Sequence, residues 1–396
     1  MSNIPFWKIK RELQRLHRYG TGWFGELVRK LYFRRYYDLV TSRAIRRTIG
    51  TGSLKREVAI YLIYPETGLQ ESHLFMLREL QRDEISTIVV SNLPLSDHDR
   101  DQLQKIATRI IERPNVGYDF GGYRDGILEI AEILPTLHRV WLLNDSVWMV
   151  SQPTSWFEQA RAMKKDFVGA TSSFSILRKS LLGTKRFDAS NYRKIVWKHR
   201  PDNPNFHYGS YALCIGKAIL QDPRFLEYWR KLEIRNKKNQ TVRRGEIGLS
   251  QWVLKHSYSH AATHEIDNLP RSLAALSDAE IDRVTHELIL FKNTALAEIR
   301  RKVLLTDITS AAGRTERTNL ILTAVARHGS AYALALYNLR HTTFPFLKKS
   351  PLWLSADNTE HMLKLAEDLT TGQNAHIAKE AHQLCAHRLN AKHRVQ

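Results

Sequence analysis

The 396-residue chain carries 60 Lys+Arg against 40 Asp+Glu, a formal charge of +20, with 43% apolar and 10% aromatic residues. That apolar content excludes a disordered polypeptide, and the length suits two or three structural units with a large core. Two cysteines, Cys214 and Cys385, without a CxxC spacing exclude a disulfide framework and a cysteine zinc site.

Residues 1–56 hold 14 Lys/Arg and 3 Asp/Glu, more than half of the net charge. At about 100° per residue, Phe6, Ile9, Leu13 and Leu16 share one face of a helix, and Lys8, Arg11, Arg15 and Arg18 the other. A basic helix of this kind, followed by the aromatic and basic stretch Trp23–Tyr37, is expected to lie on an anionic membrane surface. Nucleic acid is the weaker alternative, because no recognised binding motif accompanies the charge. No apolar stretch reaches the ~18–20 residues of a membrane span. The nearest, 318–336, is broken by Arg327, His328 and Gly329. No apolar h-region precedes a small-residue cleavage site, so the expected location is cytoplasmic, peripheral on the inner face of the plasma membrane.

From Glu57 the texture changes. Val58–Tyr64 is a continuous apolar run ending at Pro65, as a buried parallel strand requires. A helical stretch to about residue 82 leads to the strand 86–90, followed by Asn92 and Pro94. A helix over 96–107, a strand at 108–112, a helix over 122–133 and the strand 140–143 complete the series. Strands alternating with helices predict right-handed βαβ units in an open, mostly parallel, doubly wound sheet, which binds ligands at the carboxyl ends of its strands. Beyond about Pro270 the sequence reads as helical. The expected organisation is therefore a basic helical segment at 1–56, an α/β domain at 57–267 and a helical region at 268–396.

Two elements fall at those strand ends. Residues 115–127, NVGYDFGGYRDGI, follow the third strand with four glycines, and Asp119 and Asp125 sit among aromatics. Gly117, Gly121 and Gly122 permit close approach of a ligand or a positive φ before a helix begins, and a helix start offers free amides to a diphosphate. Residues 141–148, WLLNDSVW, interrupt an apolar strand with Asn144 and Asp145, and a carboxylate there suits a divalent cation that grips phosphates. Tight helix–strand packing is the alternative for the glycines, and a capped turn for Asn144-Asp145. His256, His260 and His264 are spaced by four, but a turn and strand near Ser257 keep them from converging on a metal. His207, beside Tyr208 and Ser210, is the better-placed histidine. Trp148, Trp156 and Trp197 read as core residues.

The order of strand, N-x-G-Y-D-F-G-x-Y, helix and L-N-D-S resembles the rhamnan synthesis protein F family. More distantly it is similar to GT-A glycosyltransferases of the cellulose-synthase and rhamnosyltransferase group. FHYGSYALCIGKAIL (206–220), GEIGLSQWVLKHSYSHAAT (245–263) and TTFPFLKKSPL (342–352) extend the resemblance over about residues 57–353. It implies a GT-A-like fold and a transferase that moves a sugar, with rhamnose the named candidate, from a nucleotide sugar to a glycan or lipid-linked acceptor.

The implied donor-binding residues are Pro65, Asn92, Asn115, Gly117, Asp119, Gly121, Arg124 and Asn144, and the acceptor-binding residues His207, Tyr208 and Ser210. The implied catalytic residues are Glu246 and Asp145. Asp145 is also the implied ligand of Mn²⁺ or Mg²⁺, although the turn carries one carboxylate where D-x-D carries two. Glu246 is expected near the N-terminus of a helix capped by Gly245, where the dipole favours an ionised base. The rival reading is a non-catalytic scaffold of polysaccharide assembly.

Overall fold

A computed structural model describes residues 36–174, 186–194, 203–234, 237–290, 294–369 and 374–393. The basic pattern of residues 6–18 and Trp197 lie outside the described residues. Within residues 36–56 the chain is not wholly helical, since Arg46–Ile49 forms an edge strand, β1, antiparallel to the strand Arg109–Glu112.

The remaining strands are β2 (Glu57–Ile63), β3 (Ser86–Ser91), β4 (Arg109–Glu112), β5 (Arg139–Asn144), β6 (Val147–Met149), β7 (Phe167–Gly169), β8 (Ser172–Phe174), β9 (Phe206–Tyr208), β10 (Ala212–Gly216), β11 (His260–Ala262) and β12 (Phe346–Lys348). Eight of them form one mixed sheet in the order β1-β4-β3-β2-β5-β10-β7-β11. Its centre, β4-β3-β2-β5, is parallel, as the apolar runs predict. β10 is inserted antiparallel between β5 and β7, and β11 lies parallel to β7. The strand order reverses direction between β2 and β5. In open α/β sheets the crevice at such a switch point, at the carboxyl ends of the strands, is the ligand site.

Helices cover both faces. They are α1 (Glu71–Arg82), α2 (Asp97–Gln104), α3 (Tyr118–Glu129), α4 (Trp156–Ala162), α5 (Pro223–Lys231), α6 (Ile247–Lys255), α7 (Asp278–His286), α8 (Thr294–Leu304), α9 (Ala311–His328), α10 (Ala356–Asp368) and α11 (His376–His393). Alternate residues of β2 serve the two faces, because successive side chains of a strand point oppositely. Val58, Ile60 and Leu62 join Phe120, Tyr123 and Ile127 of α3, whereas Ala59, Tyr61 and Ile63 join Phe75, Met76 and Leu80 of α1.

The glycine-rich stretch is mostly helix and not loop, because α3 begins at Tyr118, four residues earlier than expected. Gly117, at φ 88°, caps it in a left-handed conformation suited to glycine. Gly122 and Gly126 sit inside α3, where a Cβ would stand 2.4 Å from Leu62 and 2.5 Å from Ile60. Their absent side chains bring α3 close against β2, so the packing alternative holds for these two.

The C-terminal region is helical as expected, with one exception. β12 returns to the first unit and pairs with β6, Lys348 opposite Val147 and Phe346 opposite Met149. Glu380 of α11 is buried and accepts the Ser72 N–H at 2.5 Å and the Trp148 indole N–H at 2.8 Å. Trp148 and Trp156 are fully buried, as their core reading requires. Among the described residues no helix is long and apolar enough to cross a membrane.

Candidate active site

Two groups of polar side chains flank the turn Asn144-Asp145-Ser146 at the switch crevice. On one side, Asp119 in the first turn of α3 accepts the Asn144 Nδ2–H at 3.1 Å and the Ser210 hydroxyl at 3.3 Å. Ser210 also donates its backbone N–H to Glu246 Oε1 at 2.8 Å, and Glu246 Oε2 stands 3.8 Å from His207 Nε2. The Nδ1–H of His207 donates to the Asn205 carbonyl at 2.8 Å, which turns Nε2 toward the carboxylate. Lys348, from β12, completes this group. Its ammonium donates to Ser146 Oγ at 3.4 Å and stands 3.7 Å from the Tyr211 ring centroid.

Burial, and next the charge of Glu246, raise the Asp119 pKa to about 6, while Lys348 and the Ser210 hydroxyl act in the opposite direction. Burial lowers the Lys348 pKa, and Tyr332, Glu246 and Asp119 partly oppose it. The group thus holds two carboxylates and one ammonium close together in a low-dielectric setting, where shifted titration marks a functional site.

On the other side, Asp145 Oδ2 accepts the Tyr64 backbone N–H at 2.6 Å and faces His73 Nε2 at 3.2 Å. Burial would raise the Asp145 pKa, but the His73 hydrogen bond, Lys349 and the Tyr64 amide outweigh it and hold the carboxyl below its ordinary range. Tyr64, Thr67, Gln70, His73, Asp145 and Lys349 line part of a cavity of about 160 Å³ here. Ser146 lines the same cavity and reaches Lys348 on its far side.

The donor set at the turn does not fit a divalent cation. Asn144 Oδ1 already accepts the Ser146 N–H and O–H at 3.1 and 2.6 Å. His73 Nδ1 accepts the Gln70 N–H at 3.1 Å, so the proton of the neutral ring lies on Nε2, the atom facing Asp145. A histidine that ligates a metal through Nε2 instead donates from Nδ1. Among the described residues no group of three or more His, Cys, Asp or Glu is placed to hold a metal ion.

The expected site residues therefore divide. Asp119, Asn144, Asp145, His207, Ser210 and Glu246 meet at the crevice, with Gly117 and Gly121 setting the start of α3. Pro65 follows β2 and is buried, and Asn115 is exposed. Asn92 is buried 6% exposed and accepts the Arg113 guanidinium at 2.6 Å, so its amide oxygen serves the loop rather than a ligand. Arg124 is engaged with other elements, donating to the Trp229 carbonyl at 3.0 Å and pairing with Asp38 at 2.8 Å. Tyr208 turns away from Ser210 toward His260 Nδ1, 2.6 Å away. The spaced histidines do not converge. His256 stacks on Trp252, and burial of His264 lowers its pKa to about 4.

One geometric expectation is corrected. Glu246 does not sit at a capped helix start. A helical turn at Lys238–Thr241 runs into a π-helical stretch, Val242–Glu246, and on into α6. Gly245 is buried there, and a Cβ would stand 2.2 Å from the Phe120 ring. The widened turn, which is frequent at functional sites, and not a dipole aims Glu246 at Ser210.

His73 and Lys348 were not singled out from sequence. His73 gave no signal beyond its place near the start of α1, whereas Lys348 is the lysine of the PFLK element. Its partner Ser146 lies about 200 positions away, and only the β6–β12 pairing joins them.

An open α/β sheet with a carboxylate-bearing crevice at its switch point belongs to the class of folds that bind ligands at their strand ends. The family model described as rhamnan synthesis protein F matches residues 87–328, and the chain belongs to that family. The protein named uncharacterized protein y4gN of Sinorhizobium fredii is 32% identical over 250 residues, which are 62% of this chain. The chain spans 57% of the length of that relative. Core-mannan synthase A of Aspergillus fumigatus, solved in a Mn/GDP form, aligns with 47% of this chain and 66% of its own at 11% identity and a TM-score of 0.26. The mannosyltransferase Ktr4p of S. cerevisiae aligns with 48% of this chain and 63% of its own at 11% identity and a TM-score of 0.25.

Proposed function

We propose that the protein is a glycosyltransferase that moves a sugar from a nucleotide-sugar donor to a glycan or lipid-linked acceptor in cell-surface polysaccharide assembly. Rhamnose is the proposed sugar, in keeping with the family's description. One observation carries the reading: a half-buried carboxylate, Glu246, is held by the Ser210 amide at the open end of the parallel strands, beside Asp119 and a buried ammonium.

In this reading the donor nucleotide lies over the ends of β2 and β5, with its diphosphate toward Ser146. Glu246 takes the proton of the acceptor hydroxyl as that oxygen bonds to the anomeric carbon. The bond from that carbon to the diphosphate breaks, and its electron pair leaves with the diphosphate oxygen. Proton abstraction by a positioned base contributes typically 10²–10⁴-fold. His207 and Ser210 border the acceptor side. Asp145 ties the Tyr64 amide and His73 together and so shapes the floor of the donor cavity.

The basic segment would hold the enzyme at the inner face of the membrane, where a lipid-linked acceptor is presented. A thermal-shift screen of the full chain against nucleotide sugars tests the core of the proposal. A rise in melting temperature with at least one of them is expected. The absence of any shift, together with no release of nucleoside diphosphate, would favour the scaffold reading.

A further inference from the structure

We propose that the ammonium of Lys348, and not a divalent cation held at Asp145, receives the leaving diphosphate of the donor; this rests on the glycosyltransferase reading above. Asn144 Oδ1 is committed to Ser146 and Asp145 Oδ2 to the Tyr64 amide and His73, which leaves Asp145 Oδ1 as the one carboxylate oxygen of the turn, where a divalent cation takes several oxygen ligands. The His73 ring presents a proton and not a lone pair toward Asp145.

In place of metal ligands, the fold delivers two consecutive lysines. The pairing of β12 with β6, together with the Lys349 N–H donated to the Ser146 carbonyl at 3.1 Å, lays this strand along the turn. β12 ends at Lys348 and the backbone of Lys349 turns helical (φ −74°, ψ −34°), so the two side chains diverge, Lys348 to the Ser146 hydroxyl and Lys349 to Ser72.

Their charges meet different surroundings. Lys349 stands 3.8 Å from the buried Glu380 carboxylate, donates to Ser72 Oγ at 3.2 Å and lies over the Trp148 ring, so its charge is met internally. Lys348 is 8% exposed, and among the described residues no carboxylate lies within ion-pair distance of it. The Ser146 hydroxyl and the Tyr211 ring are its close partners, with the Tyr332 ring centroid 5.6 Å away, and Tyr332, Glu246 and Asp119 act on its charge without pairing with it. A buried charge without an ionic partner is costly, and an incoming anion supplies the missing counter-charge.

A lysine is a compact point charge suited to phosphate, with three donors to share. As the bond from the anomeric carbon to the diphosphate breaks, the electron pair moves onto an oxygen that the Lys348 ammonium already faces. The ammonium keeps its proton, and the proton of the acceptor leaves on Glu246.

Calorimetric titration of the full chain with UDP, GDP and dTDP in turn, in EDTA and again in MnCl₂, tests this. The nucleotide that binds is expected to do so in EDTA within about twofold of its affinity in Mn²⁺, and Lys348→Met is expected to weaken it by about tenfold or more. Lys348→Arg restores much of that loss, and melting curves of both variants establish that they are folded. Binding that disappears in EDTA and returns with Mn²⁺ overturns the proposal and leaves the transferase reading standing. Wild-type affinity in Lys348→Met also overturns it. Binding of none of the three in either buffer contradicts the transferase reading itself, and the proposal falls with it.

Discussion

The carboxylate of Glu246 accepts the backbone N–H of Ser210 at 2.8 Å, and the hydroxyl of the same serine reaches Asp119 at 3.3 Å. One residue between β9 and β10 therefore spaces two acids that would otherwise repel each other unopposed. Burial and this neighbour raise the Asp119 pKa to about 6.

Replacing the acid of Glu246 tests its role. Glu246→Gln keeps the side-chain length and can still accept from Ser210. Donor binding should persist while transfer falls by ~10²–10⁴. Turnover at the wild-type rate would mean that another group takes the proton.

Asp119 carries a pH signature. Its folded pKa of about 6 lies above its unfolded value, so its contribution to stability is present at low pH and is lost as pH rises through about 6. Asp119→Asn should therefore raise the melting temperature at about pH 8 and leave it little changed at about pH 4. A variant less stable at the higher pH would show that the Asn144 and Ser210 hydrogen bonds outweigh the buried charge.

His264 has the opposite sign. Its Nε2 is buried without a hydrogen-bond partner among the described residues, and burial lowers its pKa to about 4. The unfolded chain binds this proton more readily, so stability falls as pH drops from about 6.5 toward 4, by up to about 3 kcal/mol. His264→Leu should flatten that decline in acid denaturation curves. An unchanged curve would place the acid sensitivity elsewhere.

Glu380 pins the C-terminal helix to the crevice. Glu380→Ala would leave the Lys349 ammonium, the Ser72 amide and the Trp148 indole N–H without their shared acceptor. A loss of about 3–5 kcal/mol in urea unfolding is expected, as for other broken buried pairs. A loss below about 1 kcal/mol would show that water replaces the carboxylate there.

The parallel centre of the sheet was legible because β2, β3, β4 and β5 are apolar runs bounded by polar turns, and local patterning suffices for buried strands. The insertion of β10 and the return of β12 were not, since strand neighbours distant in sequence leave no periodic trace. At the site, Asp119, Asn144, Ser210 and Glu246 were identified by motif and meet in space. Asn92 was read from its place after a strand end and Arg124 from the glycine-rich element, but both serve the packing of loops and helices. The position of Glu246 on a π-helical turn was hidden because Gly245 reads equally as a cap and as a close contact, and only Phe120 in α3 decides between them.

The most direct measurement is release of nucleoside diphosphate from a nucleotide sugar by the purified full chain, run beside Glu246→Gln. Release by the wild-type protein from at least one nucleotide sugar is expected. So is a rate lower by ~10²–10⁴ in the variant, with donor affinity unchanged. Equal rates in the two proteins, or no release and no binding with any nucleotide sugar, would contradict this expectation.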